Sequence, residues 1–234
     1  MLLIRPSFTI WNYDGEAQIA HAARVCYKSE YKIKGLDLTE VGVQQDKILR
    51  NLISKGHHSV LEHCGATVKI VCDRGVTHEI VRHRLVSYSQ ESTRYCDYSG
   101  GVTFIIPPWT NIEPCEVSPS YPSFDSLAIV KVKEGTTLSE ADMDWTIAMR
   151  WAERSYLRLR ENGWSPQQAR SVLPNSLKTE IVVTTNYREW RHIFQLRTDL
   201  TAHPQMREIM IPLLQYFKVN TPILFEDINV KEGK

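Results

Sequence analysis

Twice in this chain a β-branched run ends in a side chain suited to capping a helix, and each time helical spacing follows at once. Between Gly65 and Cys72, Val68, Ile70 and Cys72 alternate with Thr67, Lys69 and Val71, which reads as a strand with one face more buried than the other. Asp73 then caps a short helix running to about Val81. Thr179 to Thr185 (TEIVVTT) is a second strand, and Asn186 with Glu189 opens the next helix.

Other elements carry equally local signals. Ala17, Ile19, Ala20, Ala23 and Cys26 predict a helix over residues 15–27. Thr39 as cap, an apolar stripe from Val43 to Ile53, and Gly56 as stop predict a second. Val102 to Ile106 reads as a strand closed by Pro107-Pro108, and residues 107–137, with Pro114, Pro119 and Pro122, as a long irregular connection. Ser139 with Asp142 forms a capping box before a long helix whose stripe is Met143, Ile147, Trp151, Ala152, Tyr156 and Leu159. Ser165-Pro166-Gln167-Gln168 starts a short helix, and a final one over Pro204–Phe217 should be kinked or divided at Pro212.

At 234 residues and 42% hydrophobic, the chain can bury a sizeable core and is most simply one domain. Its 28 basic and 27 acidic residues leave a net charge of +1, so any anion binding must be local rather than a general attraction to nucleic acid or membrane. MLLIRPSF is too short for a secretory signal and no apolar run spans a bilayer, so the expected compartment is the cytoplasm. Five cysteines, an odd number without a CxxC pair, argue against a disulfide framework and a cysteine zinc site; Cys115 has no neighbouring base to make it a nucleophile.

Three constellations carry chemistry. The stretch Arg82 to Tyr95 (RHRLVSYSQESTRY) interleaves Arg82, Arg84 and Arg94 with His83 and a series of hydroxyls, an arrangement suited to forked binding of phosphate or carboxylate. The plainer alternative is a solvated basic face paired with Glu79 and Glu91. Because Arg82 and Arg84 diverge by about 200° on a continuous helix, their convergence requires a helix-to-loop junction near here. The second group, His57, His58 and His63 with Glu62 and Cys64, fits no zinc spacing; it reads as ligand contact, a structural turn or a metal site. In the third, Arg170 fits a surface ion pair or a ligand contact. Arg197 shares an apolar face with Trp190 and Phe194 and therefore needs an internal partner or a bound anion. Neither GxGxxG nor GxxxxGK[ST] is present, which argues against Rossmann and P-loop phosphate sites.

The pattern Arg82-His83-Arg84, seven residues, Ser92, then Arg94-Tyr95 resembles the signature of the flavin-dependent thymidylate synthases. GHHSVLEH (56–63), ARSVLP (169–174), TTNYREW and LRTDLTAHPQ (196–205) resemble the family's other blocks in the same order. The resemblance implies an α/β fold, a single domain over residues 1–234 with a central mixed or antiparallel sheet packed against helices, in a homotetramer. It implies conversion of dUMP to dTMP with 5,10-methylenetetrahydrofolate as carbon donor and NADPH as reductant through FAD, with no nucleic acid, membrane or metal. His57, Ser59, Arg82, His83, Arg84, Gln90, Asn186, Arg188 and His192 would hold FAD. Glu79, Arg82, Gln90, Glu91, Ser92, Thr93, Arg94, Arg170 and Arg197 would line the dUMP site, with Arg197 favouring ionisation of the uracil N3. Glu79, Ser89, Gln90 and His192 depart from residues common in the family. The alternatives are a non-catalytic nucleotide or RNA-binding module built on the Arg82–Arg94 cradle and a metal-dependent hydrolase built on the His57–His63 group.

Overall fold

A computed structural model of the chain describes residues 1–36, 38–117 and 130–231. Seven strands are seen among them: β1 (Leu2–Ile4), β2 (Ser7–Tyr13), β3 (Gly65–Asp73), β4 (Ser87–Gln90), β5 (Thr103–Ile105), β6 (Cys115–Glu116) and β7 (Lys178–Asn186). The helices are α1 (Glu16–Cys26), α2 (Leu38–Ser54), α3 (Arg74–Ile80), α4 (Glu140–Glu161), α5 (Pro166–Ala169), α6 (Tyr187–Arg197), α7 (Pro204–Asn220) and α8 (Pro222–Phe225). One sheet has the order β5-β1-β6, the other β2-β3-β7-β4. The first is mixed, since β1 runs parallel to β5 and antiparallel to β6. The α/β class and the mixed sheet packed with helices are therefore borne out. No described helix is long and apolar enough to cross a membrane.

The chain forms two compact units interleaved in sequence. One comprises Met1–Ser7, Ile70–Arg82 and Ser89–Ile181, the other Phe8–Lys69, His83–Tyr88 and Val182–Lys234. In the first unit Leu3, Phe104, Ile106, Ile112, Val117, Tyr156 and Leu177 are buried in one cluster around β1. The capping box of α4 forms as expected, with Ser139 N–H and Asp142 N–H each bonded to the other's side chain. Of the expected stripe, Tyr156 is buried and Met143, Ile147, Ala152 and Leu159 pack partly buried against the same cluster. Thr146, Met149, Arg150, Glu153 and Tyr156 face inward while Trp151 is 40% exposed. Polar contacts are added to this packing: Glu153 accepts the Val102 N–H at 2.9 Å, and Tyr156 Oη accepts the Tyr98 N–H at 3.2 Å. These bonds satisfy buried backbone donors, which apolar spacing cannot foresee. The 107–137 connection is more ordered than expected where it is described: β6 pairs with β1, and Ile112 bridges Val132. Pro119 and Pro122 lie outside the described residues.

The second unit is built on an aromatic cluster. Trp190 stacks on Phe194 at 5.5 Å, and Phe217 packs against both and against Phe225 at 5.0 Å, joining α6, α7 and α8. Helix α2 begins at Leu38, so Thr39 lies inside it rather than capping it, and Gly56 with φ 70° follows its end. Helix α7 continues through Pro212 to Asn220 instead of dividing there. Strand β3 is seated against the start of α6. Tyr187 N–H donates to Cys64 O at 2.9 Å and Trp190 Nε1–H to Ala66 O at 3.2 Å.

Gly65 makes that approach possible, because a Cβ there would overlap Thr185 O and stand 3.0 Å from Asn186 Cα, both of them backbone. We predict that Gly65→Ala destabilises the protein by about 2 kcal/mol or more in urea titration. Gly42→Ala within α2, where a Cβ meets nothing within 4 Å, should instead stabilise by about 0.5–1 kcal/mol. Equal effects at the two sites would contradict the packing account.

Candidate functional site

In the second unit the site grows from the junction of β7 and α6. Asn186 leaves the strand in extended conformation and its side chain accepts the Glu189 N–H at 2.9 Å, so the helix starts where the sequence predicts. One turn of this helix then presents Arg188, Glu189 and His192. The 3-10 turn His58–His63 brings Glu62, which pairs with Arg188 Nη1 at 2.6 Å. His58, Glu62, Leu85, Asn186, Arg188, Glu189, Arg191, His192 and Gln195 line a recess of about 400 Å³. Arg191 is buried and makes a forked pair with Asp227 at 2.6 and 2.7 Å, which anchors the wall.

Behind the recess runs a chain of three side chains. Arg197 Nε–H donates to His83 Nε2 at 3.1 Å, and His83 Nδ1 faces Glu189 Oε1 at 3.3 Å. An imidazole nitrogen that accepts from a guanidinium carries no proton, so the proton of neutral His83 sits on Nδ1, toward the carboxylate. Burial above all, then the charges of Arg197 and His192, holds the His83 pKa down to about 4. Arg197 was expected to need an internal partner. One such partner is the neutral His83 ring. The backbone around His83 is pinned as well: Tyr88 O–H donates to His83 O at 2.9 Å and Thr185 O–H to Leu85 O at 2.6 Å. Burial pushes the Tyr88 hydroxyl up to about 12, so it remains a donor. His83, Glu189 and His192 also have ligand atoms within 4.8 Å of one another. A cation there would compete with Arg197 for the same imidazole lone pair, so the geometry fits the holding of an arginine better than the binding of a metal.

In the first unit α3 begins at its Asp73 cap, whose carboxylate accepts the Val76 N–H at 2.7 Å, and stops at Ile80. The helix-to-loop junction predicted before Arg82 is present. Gln90 donates to Thr77 Oγ1 at 2.9 Å and Thr179 Oγ1 at 3.3 Å. Glu91 accepts from Tyr98 O–H at 2.7 Å and pairs with Lys178 at 3.0 Å, while Lys178 also reaches Glu180 at 2.7 Å. Thr93 is buried and accepts from Arg170 Nη1 at 3.0 Å. Ser92 Oγ accepts the Arg94 N–H at 3.3 Å and, among the described residues, has no imidazole or carboxylate bonded to it, so nothing there activates it as a nucleophile. Arg94 is exposed and lies over the Tyr95 ring at 5.4 Å.

The expected residues thus fall into two sets. Glu79, Gln90, Glu91, Ser92, Thr93, Arg94 and Arg170 belong to the first unit; His57, Ser59, His83, Arg84, Asn186, Arg188, His192 and Arg197 belong to the second. Several are placed otherwise than their sequence pattern suggests. His83 is 5% exposed, with both nitrogens engaged inside the protein. His57 is not in the recess; its Nδ1 bonds Tyr27 Oη at 3.1 Å, and His58 lines the recess instead. Ser87–Gln90 is a strand at a sheet edge, not a hydroxyl-rich loop. Arg82 and Arg84 are exposed. Glu189 and Lys178 escaped sequence reasoning, the first because a glutamate three residues after a cap already has a local explanation, the second because nothing marks it within a β-branched run.

Residues 9–223 match the family model for Thymidylate synthase complementing protein. Flavin-dependent thymidylate synthases of Mycobacterium marinum and Mycobacteroides abscessus are 32% and 34% identical to the chain, each over 97% of it and 86% of the relative. A UMP/dUMP methylase, PolB from Streptomyces cacaoi, solved with 5-Br dUMP, shares the fold with a TM-score of 0.72 and 23% identity over 97% of this chain and 96% of that one. The chain belongs to the flavin-dependent thymidylate synthase family.

Proposed function

We propose that this protein is an FAD-dependent thymidylate synthase that methylates dUMP to dTMP, with 5,10-methylenetetrahydrofolate as carbon donor and NADPH as reductant. It works as a homotetramer of one-domain chains in the cytoplasm. The observation that carries the reading is Arg197, a guanidinium held through neutral His83 by the Glu189 carboxylate. Such an arginine stabilises a developing anion, here the ionised N3 of uracil, and that ionisation makes C5 more nucleophilic. Arg94 and Arg170 supply charge for the nucleotide phosphate. Glu79, a carboxylate, suits a sugar hydroxyl or base N–H rather than the phosphate. Glu91, already bonded to Tyr98 and Lys178, acts by holding that wall rather than by touching the ligand.

The residues around the recess fit FAD. Arg188 and its partner Glu62 are 54% and 47% exposed, so an anion can replace this pair at little cost, and the N-terminus of α6 favours phosphate beside it. Asn186, Arg188 and His192 would hold the cofactor, together with His58, whose pKa is lowered by burial and by Arg191. Bound FAD supplies the reducing equivalents, so the protein needs no activated thiol. Cys64, Cys72 and Cys115 are buried, and burial pushes Cys72 far above the ordinary thiol range.

Three measurements test the reading. Purified protein should be yellow, bleach with NADPH, and release the C5 hydrogen of labelled dUMP only when methylenetetrahydrofolate and reductant are supplied. Protein that stays colourless after incubation with FAD contradicts it. Arg197→Ala should lower turnover by roughly two to three orders of magnitude while retaining FAD; loss of flavin in that variant would assign Arg197 to the cofactor instead. Because the His83 pKa is about 4 folded and near 6.5 unfolded, the unfolded chain takes up a proton between those values that the folded chain refuses. The thermal midpoint should therefore fall as pH drops from 6.5 toward 4, and His83→Asn should reduce that slope; an unchanged slope would contradict the assignment.

A further inference from the structure

A second cavity lies in the same unit, apart from the α6 recess. It measures about 570 Å³ and is walled by the end of α1, the 3-10 turn Glu30–Ile33 and the outer turns of α2. Arg24, Lys32 and Lys47 line it, and among the described residues no carboxylate does. Arg24 is only 3% exposed, yet its Nε and Nη2 are buried without a hydrogen-bond partner among the described residues. Burying an unpaired guanidinium is costly, and a protein rarely keeps one unless something completes it. Tyr27 and Tyr31, 50% and 69% exposed, stand at the same cavity and offer aromatic faces. The volume lies within the range of about 300–1,000 Å³ common for small-molecule sites.

We infer that this cavity is a binding site for the oxyanion of a small molecule that also carries a planar ring, with Arg24 as the buried anion receptor, Lys32 and Lys47 as flanking charges, and Tyr27 and Tyr31 as stacking surfaces. Phosphate and carboxylate share the chemistry that Arg24 recognises. The inference does not rest on the proposed activity, because neither the Arg197 chain nor the α6 recess enters it.

Titration calorimetry of the full chain with adenosine 2′,5′-bisphosphate and, separately, with p-aminobenzoyl-glutamate tests the site and separates the two sources. Saturable binding of the first identifies a nucleotide phosphate, and of the second an aryl-linked carboxylate; binding of both identifies a general oxyanion site. Arg24→Met, which keeps the volume and removes the charge, should weaken that binding by roughly tenfold or more. It should also raise the thermal midpoint of the ligand-free protein, since an unpaired buried cation is gone. Lys47→Gln should weaken binding by about threefold or more with the midpoint unchanged, and decides the matter should Arg24→Met fail to fold. The inference is overturned if wild-type protein binds neither probe, if both variants bind as wild type does, or if Arg24→Met folds with a lower midpoint, which would make Arg24 structural.

Discussion

The hydrogen bond from Arg197 Nε to His83 Nε2 exists only while the imidazole is neutral, and the surrounding structure is arranged to keep it so. Burial, the adjacent guanidinium and the ring of His192 at 5.6 Å each disfavour a proton on Nε2. Glu189 faces Nδ1 and selects the tautomer. A carboxylate bonded directly to Arg197 would hold it as firmly, but it would neutralise the charge that a ligand anion is meant to feel. A neutral intermediary orients the guanidinium without itself neutralising that charge.

This arrangement depends in turn on close backbone packing. Glu189 and Arg197 lie on α6, whose start is fixed by the Asn186 cap and by the bonds of Tyr187 and Trp190 to Cys64 and Ala66 in the chain entering β3. The missing side chain of Gly65 allows that approach. The buried ring cluster of Trp190, Phe194, Phe217 and Phe225 holds the apolar face of the helix on which Arg197 also lies. A polar site therefore rests on an apolar face of the same helix, and the side-chain period of α6 links the two.

What the sequence made legible was local. The caps at Asp73, Ser139, Ser165 and Asn186 need only neighbours three residues away, and each is found where the spacing predicts. Strands β3 and β7 announce themselves by β-branching. By contrast β1 pairs with residues 103–105 and 115–116, and its three residues carry no period of their own. Strand β4 reads as a hydroxyl-rich loop because its pairing lies with distant residues. The site divides along the same line. That Arg197 needs a partner follows from its apolar face, but that the partner is His83, separated by 114 positions, does not. Charge reasoning looks for an acid and passes over a neutral acceptor. Resemblance assigned His83 to the cofactor; its burial and its bond to Arg197 carry no signal in the sequence.

The most direct test is the state of the His83 imidazole in the folded protein, read by ¹⁵N NMR with assignment through His83→Asn. A neutral ring protonated on Nδ1 from pH 6 to 8, with an Nε2 shift that changes in Arg197→Ala, is the predicted result. An imidazolium at neutral pH, or a proton resident on Nε2, would contradict the account of how Arg197 is held.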